Sequence, residues 1–255
     1  MALISMAVYA THENNKTDIA RRTFEGLIAT VNPKKHRVIV VDNGSCPAAQ
    51  VMFKDFDRHF KFIHTGENLG TAGAVNIAWM LKKPGECVVK MDDDCLIHDA
   101  GWCDQLEEAI RRDPQIGIIG LKRKDLMENP WRNDSMKSTL RMLPHEPGQS
   151  WILAEDVNHV MGTCQMYNPA LLEKIGYLYQ PRLYGFDDSL AAVRCRVAGF
   201  KNCFLPHINI DHIDPGDTPF QTWKQKVSGE DMLEYARMKD GYENGTISIY
   251  YNPYK

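Results

Sequence analysis

Three consecutive aspartates, Asp92, Asp93 and Asp94, directly follow the apolar run Val88–Met91. Carboxylates at the end of a buried strand need a compensating cation, because an isolated charge in apolar surroundings is strongly unfavourable. Mg²⁺ and Mn²⁺ take oxygen ligands and are often shared between protein carboxylates and a substrate diphosphate. Because side chains alternate along an extended chain, we expect Asp92 and Asp94 to act together and Asp93 to face elsewhere. The run predicts a divalent metal site, and a solvated acidic loop is the alternative.

A second pair of carboxylates, Asp187 and Asp188, follows Tyr184-Gly-Phe186 and opens a predicted helix. One of them can cap the helix by accepting a hydrogen bond from a backbone N–H group. The other is then able to face a cleft and take a proton from a hydroxyl group as a general base. Helix capping alone is the alternative interpretation of this pair.

Two further segments have the character of a nucleotide site. Asp42 follows the predicted strand Val38–Val41, and ligands of open α/β sheets bind at the carboxyl ends of strands. The segment Asn68–Asn76 contains spaced glycines and runs into a helix, so the N–H groups at the helix start can face a phosphate or ribose. The alternatives are a plain turn at Asp42 and glycines that only allow close helix packing.

Two histidines, His207 and His212, flank the predicted strand segment Ile208–Asp211. Neutral imidazole suits Mn²⁺ better than Mg²⁺, so a histidine that completes the aspartate site would favour manganese. A purely structural histidine is the alternative.

The elements that must position these residues follow from the apolar pattern. Five short runs have the β-branched composition of buried parallel strands: Ala2–Tyr9, Arg37–Asp42, Phe60–His64, Cys87–Asp92 and Ile116–Gly120. Four predicted helices alternate with them: one capped by Asn14-Asn15 and ended by Pro33, then Pro47–Arg58, one led in by Gly70–Ala74, and Asp99–Arg112. This alternation predicts an α/β fold with a Rossmann-like, mostly parallel sheet flanked by helices.

The second half of the chain lacks this regular alternation of strands and helices. Lys122–Ser150 shows little periodicity and is too long for an ordinary connection, so we expect a lid with Trp131 and Arg132 at its centre. We expect the remaining predicted elements to form an antiparallel extension of the sheet: strands at Trp151–Val160 and Phe204–Ile213, with helices at Pro169–Ile175, Asp187–Ala198 and Gln221–Lys239.

Composition sets outer limits on the function. The 255 residues are 44% hydrophobic and 25% charged, which is ordinary for a folded domain, and the net charge of −3 offers no broad attraction for nucleic acid or anionic membrane. No window reaches the ~18 apolar residues that span a bilayer. Seven cysteines without a C-x-x-C pair predict reduced thiols and a cytoplasmic location. We expect one domain of 255 residues.

Taken together and in this order, the motifs resemble the inverting glycosyltransferases of family 2, which have the GT-A fold. The resemblance extends from about Ala2 to Gly216. Val40–Ser45 resembles the nucleotide-binding strand end of the family, and Asn68–Asn76 resembles its N-x-G-x-(A/G)-x-A-x-N segment. The run of three aspartates followed by Gly101-Trp102 resembles its D-x-D motif and downstream Gly-Trp.

The resemblance implies roles for individual residues. The nucleotide sugar would be contacted by a set of six: Thr11, Asp42, Asn68, Gly73, Asp92 and Asp93. The metal would be held by Asp94 and His212 with Asp92 in or beside its shell, and His207 is a neighbouring candidate. Asp188 is the implied base when the pair is counted back from Arg194, Arg196 and Gly199. The first acid is Asp rather than Glu and Leu190 replaces a further Asp of many members, so the choice between Asp187 and Asp188 stays open.

The function implied is a metal-dependent, inverting transfer of a sugar from a nucleoside-diphosphate sugar to a hydroxyl of a glycan, lipid-linked or other acceptor. Mn²⁺ is favoured over Mg²⁺, and no stable nucleic acid binding is expected. Residues 1–120 would bind the donor, 121–218 would form the lid and acceptor half, and 219–255 the last helix and tail. A lipid-linked acceptor would place the protein at a membrane periphery. The alternatives are a sugar-phosphate nucleotidyltransferase and a non-catalytic nucleotide-sugar or glycan-binding module.

Overall fold

The computed structural model describes residues 1–127, 138–214, 222 and 229–255. In this part of the chain ten strands form one sheet. The strands are β1 Ala2–Val8, β2 Arg37–Asp42, β3 Lys61–His64, β4 Cys87–Met91, β5 Cys95–Ile97, β6 Ile116–Arg123, β7 Ser138–Met142, β8 Leu153–Val157, β9 Cys164–Tyr167 and β10 Lys201–His212. The helices are α1 Thr17–Thr30, α2 Pro47–Lys54, α3 Gly70–Trp79, α4 Trp102–Arg112, α5 Lys124–Met127, α6 Pro169–Ile175, α7 Asp187–Val197 and α8 Met232–Glu243.

The strand order is β3-β2-β1-β4-β9-β6-β10-β8-β7, with β5 paired to β10. Strands β1 to β4, β6, β7 and β10 run in one direction, and β5, β8 and β9 run against them. The predicted α/β class with a mostly parallel sheet and an antiparallel extension is therefore confirmed. The carboxyl ends of β1, β2, β4, β6 and β10 lie along one edge of the sheet, which is where the predicted site residues belong.

Helices cover both faces of the sheet because the strands are apolar on both sides. On β1, Ile4 and Met6 pack on the face that α1, α2 and α4 cover, whereas Leu3 packs on the opposite face with α3, α6 and α7. This alternation is the period-two pattern of a strand. The result is a three-layer sandwich that holds the strand ends rigidly.

Three strands were not predicted: Cys95–Ile97, Ser138–Met142 and Cys164–Tyr167. Each is only three to five residues long, and the first and last gain their stability from pairing with strands distant in sequence. The last of these, β9, is inserted antiparallel between β4 and β6. It separates the two halves of the sheet and brings the loop before it, residues 161–163, to the strand-end edge.

The predicted irregular stretch Lys122–Ser150 is partly wrong, because the end of β6, helix α5 and strand β7 lie within it. Trp131 and Arg132 fall outside the described residues, so the lid stays a prediction. The last helix runs over Met232–Glu243 rather than Gln221–Lys239, and most of its predicted first part also lies outside the described residues.

Candidate active site

A cleft of about 720 Å³ opens at the strand-end edge of the sheet. Its lining includes the three consecutive aspartates after β4 on one side and the acid pair at the start of α7 on the other. The crossovers of the parallel sheet and the inserted β9 bring these two groups together. Both predicted groups of carboxylates therefore line the same cleft.

Lys90 lies between the two groups of carboxylates. Its ammonium Nζ is 2.7 Å from Asp92 Oδ1 and 3.6 Å from Asp187 Oδ2, and it donates a 2.7 Å hydrogen bond to the carbonyl of Gly162. Burial by itself would lower the pKa of Lys90, but the carboxylates of Asp92, Asp187 and Asp188 raise it well above its ordinary value. Lys90 is therefore a fixed positive charge that joins the two sides of the cleft.

Lys16 forms a second buried ion cluster, with Asp93, Asp94 and Asp214. Its Nζ lies 2.7 Å from Asp94 Oδ2, 3.4 Å from Asp93 Oδ1 and 3.5 Å from Asp214 Oδ2. The expectation that Asp93 faces elsewhere is wrong: Asp93 lines the cleft and shares Lys16 with Asp94, whereas Asp92 pairs with Lys90. Joint action of Asp92 and Asp94 stays a prediction. The reason is local, since the chain turns at residues 93–94 and the alternation of an extended strand no longer applies.

His212 is brought to Asp94 by the antiparallel pairing of β10 with β5. His212 pairs in register with Cys95, the residue after Asp94, and its Nε2 lies 3.4 Å from Asp94 Oδ1. His207, the other candidate, lies 3.0 Å from Gln105 Oε1 and does not line the cleft. The structure therefore brings His212, and not His207, to the aspartate run.

A carboxylate oxygen and an imidazole nitrogen side by side form a donor pair that fits Mn²⁺. The predicted third ligand, Asp92, does not converge with them. Within the described chain, the three-residue group whose ligand atoms all lie within 4.8 Å of one another is His36, Asp104 and Glu107, far from the cleft. Asp94 and His212 fit a metal, and a single shell that includes Asp92 would require Lys90 to release it.

The two acids of the pair have different surroundings. Asp188 Oδ2 accepts a 2.9 Å hydrogen bond from the N–H of Gly162 and lies 3.2 Å from His159 Nε2, and its Oδ1 accepts from the N–H of Ser189. Burial favours a higher pKa for Asp188, but His159, Lys90 and the Gly162 N–H hold it below its ordinary value. Asp188 is therefore an ionised carboxylate in a fixed orientation.

Asp187 Oδ2 is buried and has no hydrogen-bond partner among the described residues. Burial raises the pKa of Asp187, and the charge of Lys90 opposes the rise. Neither acid is the N-cap residue of α7, because Phe186 occupies that position with φ 64° and its side chain makes no capping hydrogen bond. Of the two acids, it is Asp188 that bonds a first-turn amide.

The predicted donor residues separate into two groups. Asn68, Asp92 and Asp93 line the cleft, and Thr11, Asp42 and Gly73 do not. Asp42 is buried, and its carboxylate accepts from the N–H of Ser45 and lies 2.8 Å from His64 Nδ1. The Thr11 hydroxyl accepts a hydrogen bond from the N–H of Asn14. The cleft is lined instead by residues close to them in sequence: Tyr9, Asn43 and Thr71.

The start of α3 is covered by the loop that leads to the acid pair. Gln180 Oε1 accepts a 3.0 Å hydrogen bond from the N–H of Ala72, and buried Asn76 exchanges two hydrogen bonds with the backbone of Leu178. A Cβ at Gly70, whose φ is +76°, would lie 2.9 Å from Gln180 Oε1. Gly70 therefore allows the loop to pack closely on this helix start, and binding of the donor by the segment Asn68–Asn76 stays a prediction.

Sequence reasoning missed several cleft residues, among them Lys16, Lys90, Asn43 and Asp214. Lys90 left a signal, because it is the one charged residue in the otherwise apolar strand Cys87–Met91. Lys16 left none, since a lysine before a helix is usually exposed.

The described part of the chain contains no helix that is long and apolar enough to cross a membrane. All seven cysteines are described, and none forms a disulfide.

The family model of glycosyl transferase family 2 matches residues 10–176. The chain therefore belongs to this family, and its fold is the GT-A fold of glycosyltransferases. The match includes the three consecutive aspartates but ends before the acid pair and His212. A search of curated protein sequences finds no match.

Solved structures of glycosyltransferases share the fold. The mannosyltransferase PcManGT from Pyrobaculum calidifontis, in complex with GDP-Man and Mn²⁺, aligns with a TM-score of 0.64 and 18% identity over 87% of this chain and 59% of that one. GalNAc-T7 with UDP, GalNAc and Mn²⁺ aligns with a TM-score of 0.60 and 14% identity, over 83% of this chain and 43% of that one. TarS 1-349 of S. aureus in complex with UDP aligns with a TM-score of 0.60 and 16% identity, over 95% of this chain and 65% of that one. The chain thus spans less than two thirds of the length of each of these structures.

Proposed function

We propose that the protein transfers a sugar from a nucleoside-diphosphate sugar to an acceptor hydroxyl with inversion at the anomeric carbon. The observation that carries the proposal is the pairing of two carboxylate groups across one cleft, Asp92–Asp94 and Asp187–Asp188, in a member of glycosyl transferase family 2. The first group would bind the metal of the diphosphate, and the second would take the proton of the acceptor hydroxyl. Inversion follows because a base opposite the leaving group supports a single displacement.

The charge of the cleft supports a divalent metal. Seven aspartates line it, against Lys16, Lys90 and Arg123. A nucleoside diphosphate would be repelled by this surplus of negative charge unless a cation entered with it. Asp94 and His212 would hold the ion, with Asp92 as a further proposed ligand, and the ion when bound would stabilise charge on the departing diphosphate.

The histidine in the donor pair favours Mn²⁺ over Mg²⁺. PcManGT and GalNAc-T7 are both complexed with Mn²⁺, which supports the same choice here. The remaining donor contacts are proposed from the family motifs: Asn68 and Asp93 at the cleft, with Thr11, Asp42 and Gly73 behind it.

We propose Asp188 as the base that takes the acceptor proton. Its side chain is 23% exposed against 10% for Asp187, and two backbone N–H groups fix its orientation. His159 Nε2 and the Ser189 hydroxyl also contact this carboxylate, at 3.2 Å each, so an acceptor hydroxyl would replace one of these two contacts. Asp187 is the second candidate, because its Oδ2 has no hydrogen-bond partner among the described residues and its pKa is raised.

The test is to incubate the purified protein with a panel of nucleotide sugars and Mn²⁺ and to measure released nucleoside diphosphate. Release that increases with an acceptor, and a product of inverted anomeric configuration, would support the proposal. Pyrophosphate chemistry would indicate a nucleotidyltransferase, and binding without release would indicate a non-catalytic module.

The acceptor is proposed only as a class: a hydroxyl of a glycan, a lipid-linked sugar or another molecule. Unpaired cysteines support a reducing, cytoplasmic compartment. Association with a membrane would come through a lipid-linked acceptor. We further propose that residues 1–255 form one domain, which the single sheet of the described residues supports.

A further inference from the structure

The loop from Tyr9 to Lys16 holds the Lys16 side chain toward the cleft. Asn14 is buried, and its side-chain oxygen accepts from the N–H groups of Thr11 and Lys16 while its amide donates to the carbonyl of Tyr9. Asn15 adopts a left-handed φ of 52°, which asparagine tolerates better than most residues. This arrangement turns the chain so that Lys16, just before α1, points into the protein rather than into solvent.

The Lys16 ammonium lies at the carboxylates that face the proposed metal. It contacts Asp94 Oδ2 at 2.7 Å, while His212 lies by the other oxygen, Oδ1, of the same carboxylate. It also contacts Asp93 and Asp214 and borders the cleft. A divalent ion at Asp94 would therefore lie within a few ångströms of an ammonium group.

We propose that Lys16 is a built-in cation that occupies the metal-binding carboxylates in the donor-free protein and transfers to the diphosphate when the donor enters. This inference rests on the proposed function and adds its regulation. Two cations at one carboxylate repel each other, so metal alone must bind against the charge of Lys16. A bound diphosphate would give Lys16 a new anionic partner next to the three aspartates that Lys16 contacts in this structure.

The consequence is that metal and diphosphate bind cooperatively. Binding of one favours the other by the same factor, as linkage requires. The cleft would remain without metal until a donor arrives, so loading of the metal would be coupled to loading of the donor.

The experiment measures binding of Mn²⁺ alone, by calorimetry and by electron paramagnetic resonance of free Mn²⁺, to the wild type and to Lys16→Met, Lys16→Gln and Lys16→Arg. Lys239→Met is the matched control, because Lys239 pairs with Glu243 at the surface and does not line the cleft. Circular dichroism shows which variants fold, and the glutamine variant keeps a hydrogen-bond donor should methionine unfold the protein.

We expect about tenfold tighter Mn²⁺ binding in the methionine and glutamine variants, within the usual range of coupling between sites. The Lys16→Arg and Lys239→Met variants should bind Mn²⁺ with the affinity of the wild type. In metal-free buffer, inorganic pyrophosphate should bind the methionine and glutamine variants several-fold more weakly than the wild type. Mn²⁺ affinity that is unchanged or reduced in both charge-free variants would overturn the inference, as would absence of Mn²⁺ binding in all of them. Both measurements are independent of sugar transfer, so the inference and the proposed activity can fail separately.

Discussion

His212 Nε2 lies 3.4 Å from Asp94 Oδ1, although the two residues come from opposite halves of the chain. The antiparallel pairing of β5 with β10 creates this contact, because Cys95 and His212 are partners in register. One short strand therefore joins the first half of the chain to the second at the proposed metal site.

The first prediction concerns Asp94. Asp94→Asn removes the charge that the proposed ion needs, so Mn²⁺-dependent affinity for a nucleoside diphosphate should fall at least about tenfold, which is ~1.4 kcal/mol. The measurement is calorimetry with and without Mn²⁺. Asp211→Asn is the control, since Asp211 is on the same strand as His212 but pairs with His98 at the surface. Equal affinity in Asp94→Asn and the control would remove Asp94 from the site.

The second prediction distinguishes the two acids. Asp188→Asn keeps the shape of the side chain but cannot accept the hydroxyl proton, so kcat should fall by ~10²–10⁴-fold with donor affinity nearly intact. Asp187→Asn should retain more turnover. Steady-state kinetics with a common donor would decide the matter. If Asp187→Asn is inactive and Asp188→Asn is active, the second candidate is the base.

The third prediction concerns the buried ammonium of Lys90. Lys90→Met leaves the carboxylate of Asp187 buried without its cation, so the free energy of unfolding should fall by ~3 kcal/mol. Urea denaturation measures the change. The double variant Lys90→Met/Asp187→Asn should recover part of the loss, because the uncompensated charge is removed. Additive losses in the double variant would show that Lys90 and Asp187 are not coupled.

The fourth prediction is a pH dependence at His159. Burial would lower the pKa of His159, but Asp188 raises it above the ordinary value. A raised histidine pKa contributes stability that is fully present below about pH 6.5 and is lost as pH rises through the folded-state value. The Tm difference between wild type and His159→Gln should therefore be largest near pH 6 and shrink toward pH 9. His98→Gln, at an exposed ion pair, is the control. A difference that grows with pH would contradict the pairing.

The fifth prediction tests the tight packing at Gly162. A Cβ there would lie 2.6 Å from Lys90 Nζ and 3.3 Å from Asp188 Oδ2. Gly162→Ala should cost ~1–3 kcal/mol of stability and reduce kcat, because both side chains must shift. Gly229→Ala, where no described residue lies within 4 Å of the added Cβ, should be neutral in the same thermal melts and assays. Wild-type turnover in Gly162→Ala would show that the positions of Lys90 and Asp188 tolerate displacement.

Part of this architecture was predictable from sequence. Runs such as Arg37–Asp42 and Cys87–Met91 are apolar, and they alternate with helices, so the parallel sheet and its α/β class follow from pattern alone. The same pattern predicts that Asp92 lies at a strand end. The short strands Cys95–Ile97 and Cys164–Tyr167 were missed because they are stable only through pairing with distant strands.

The candidate site divides in the same way. The sequence by itself determined which carboxylates are present, that they follow strands or begin a helix, and to which family their motifs are similar. Only the tertiary structure decided their partners: Lys16 for Asp93 and Asp94, Lys90 for Asp92 and Asp187, and His212 rather than His207 for Asp94. The physical reason is that strand and helix periodicity is encoded by neighbours along the chain. The partner of a buried charge depends on groups that only the sheet order and register bring within a few ångströms.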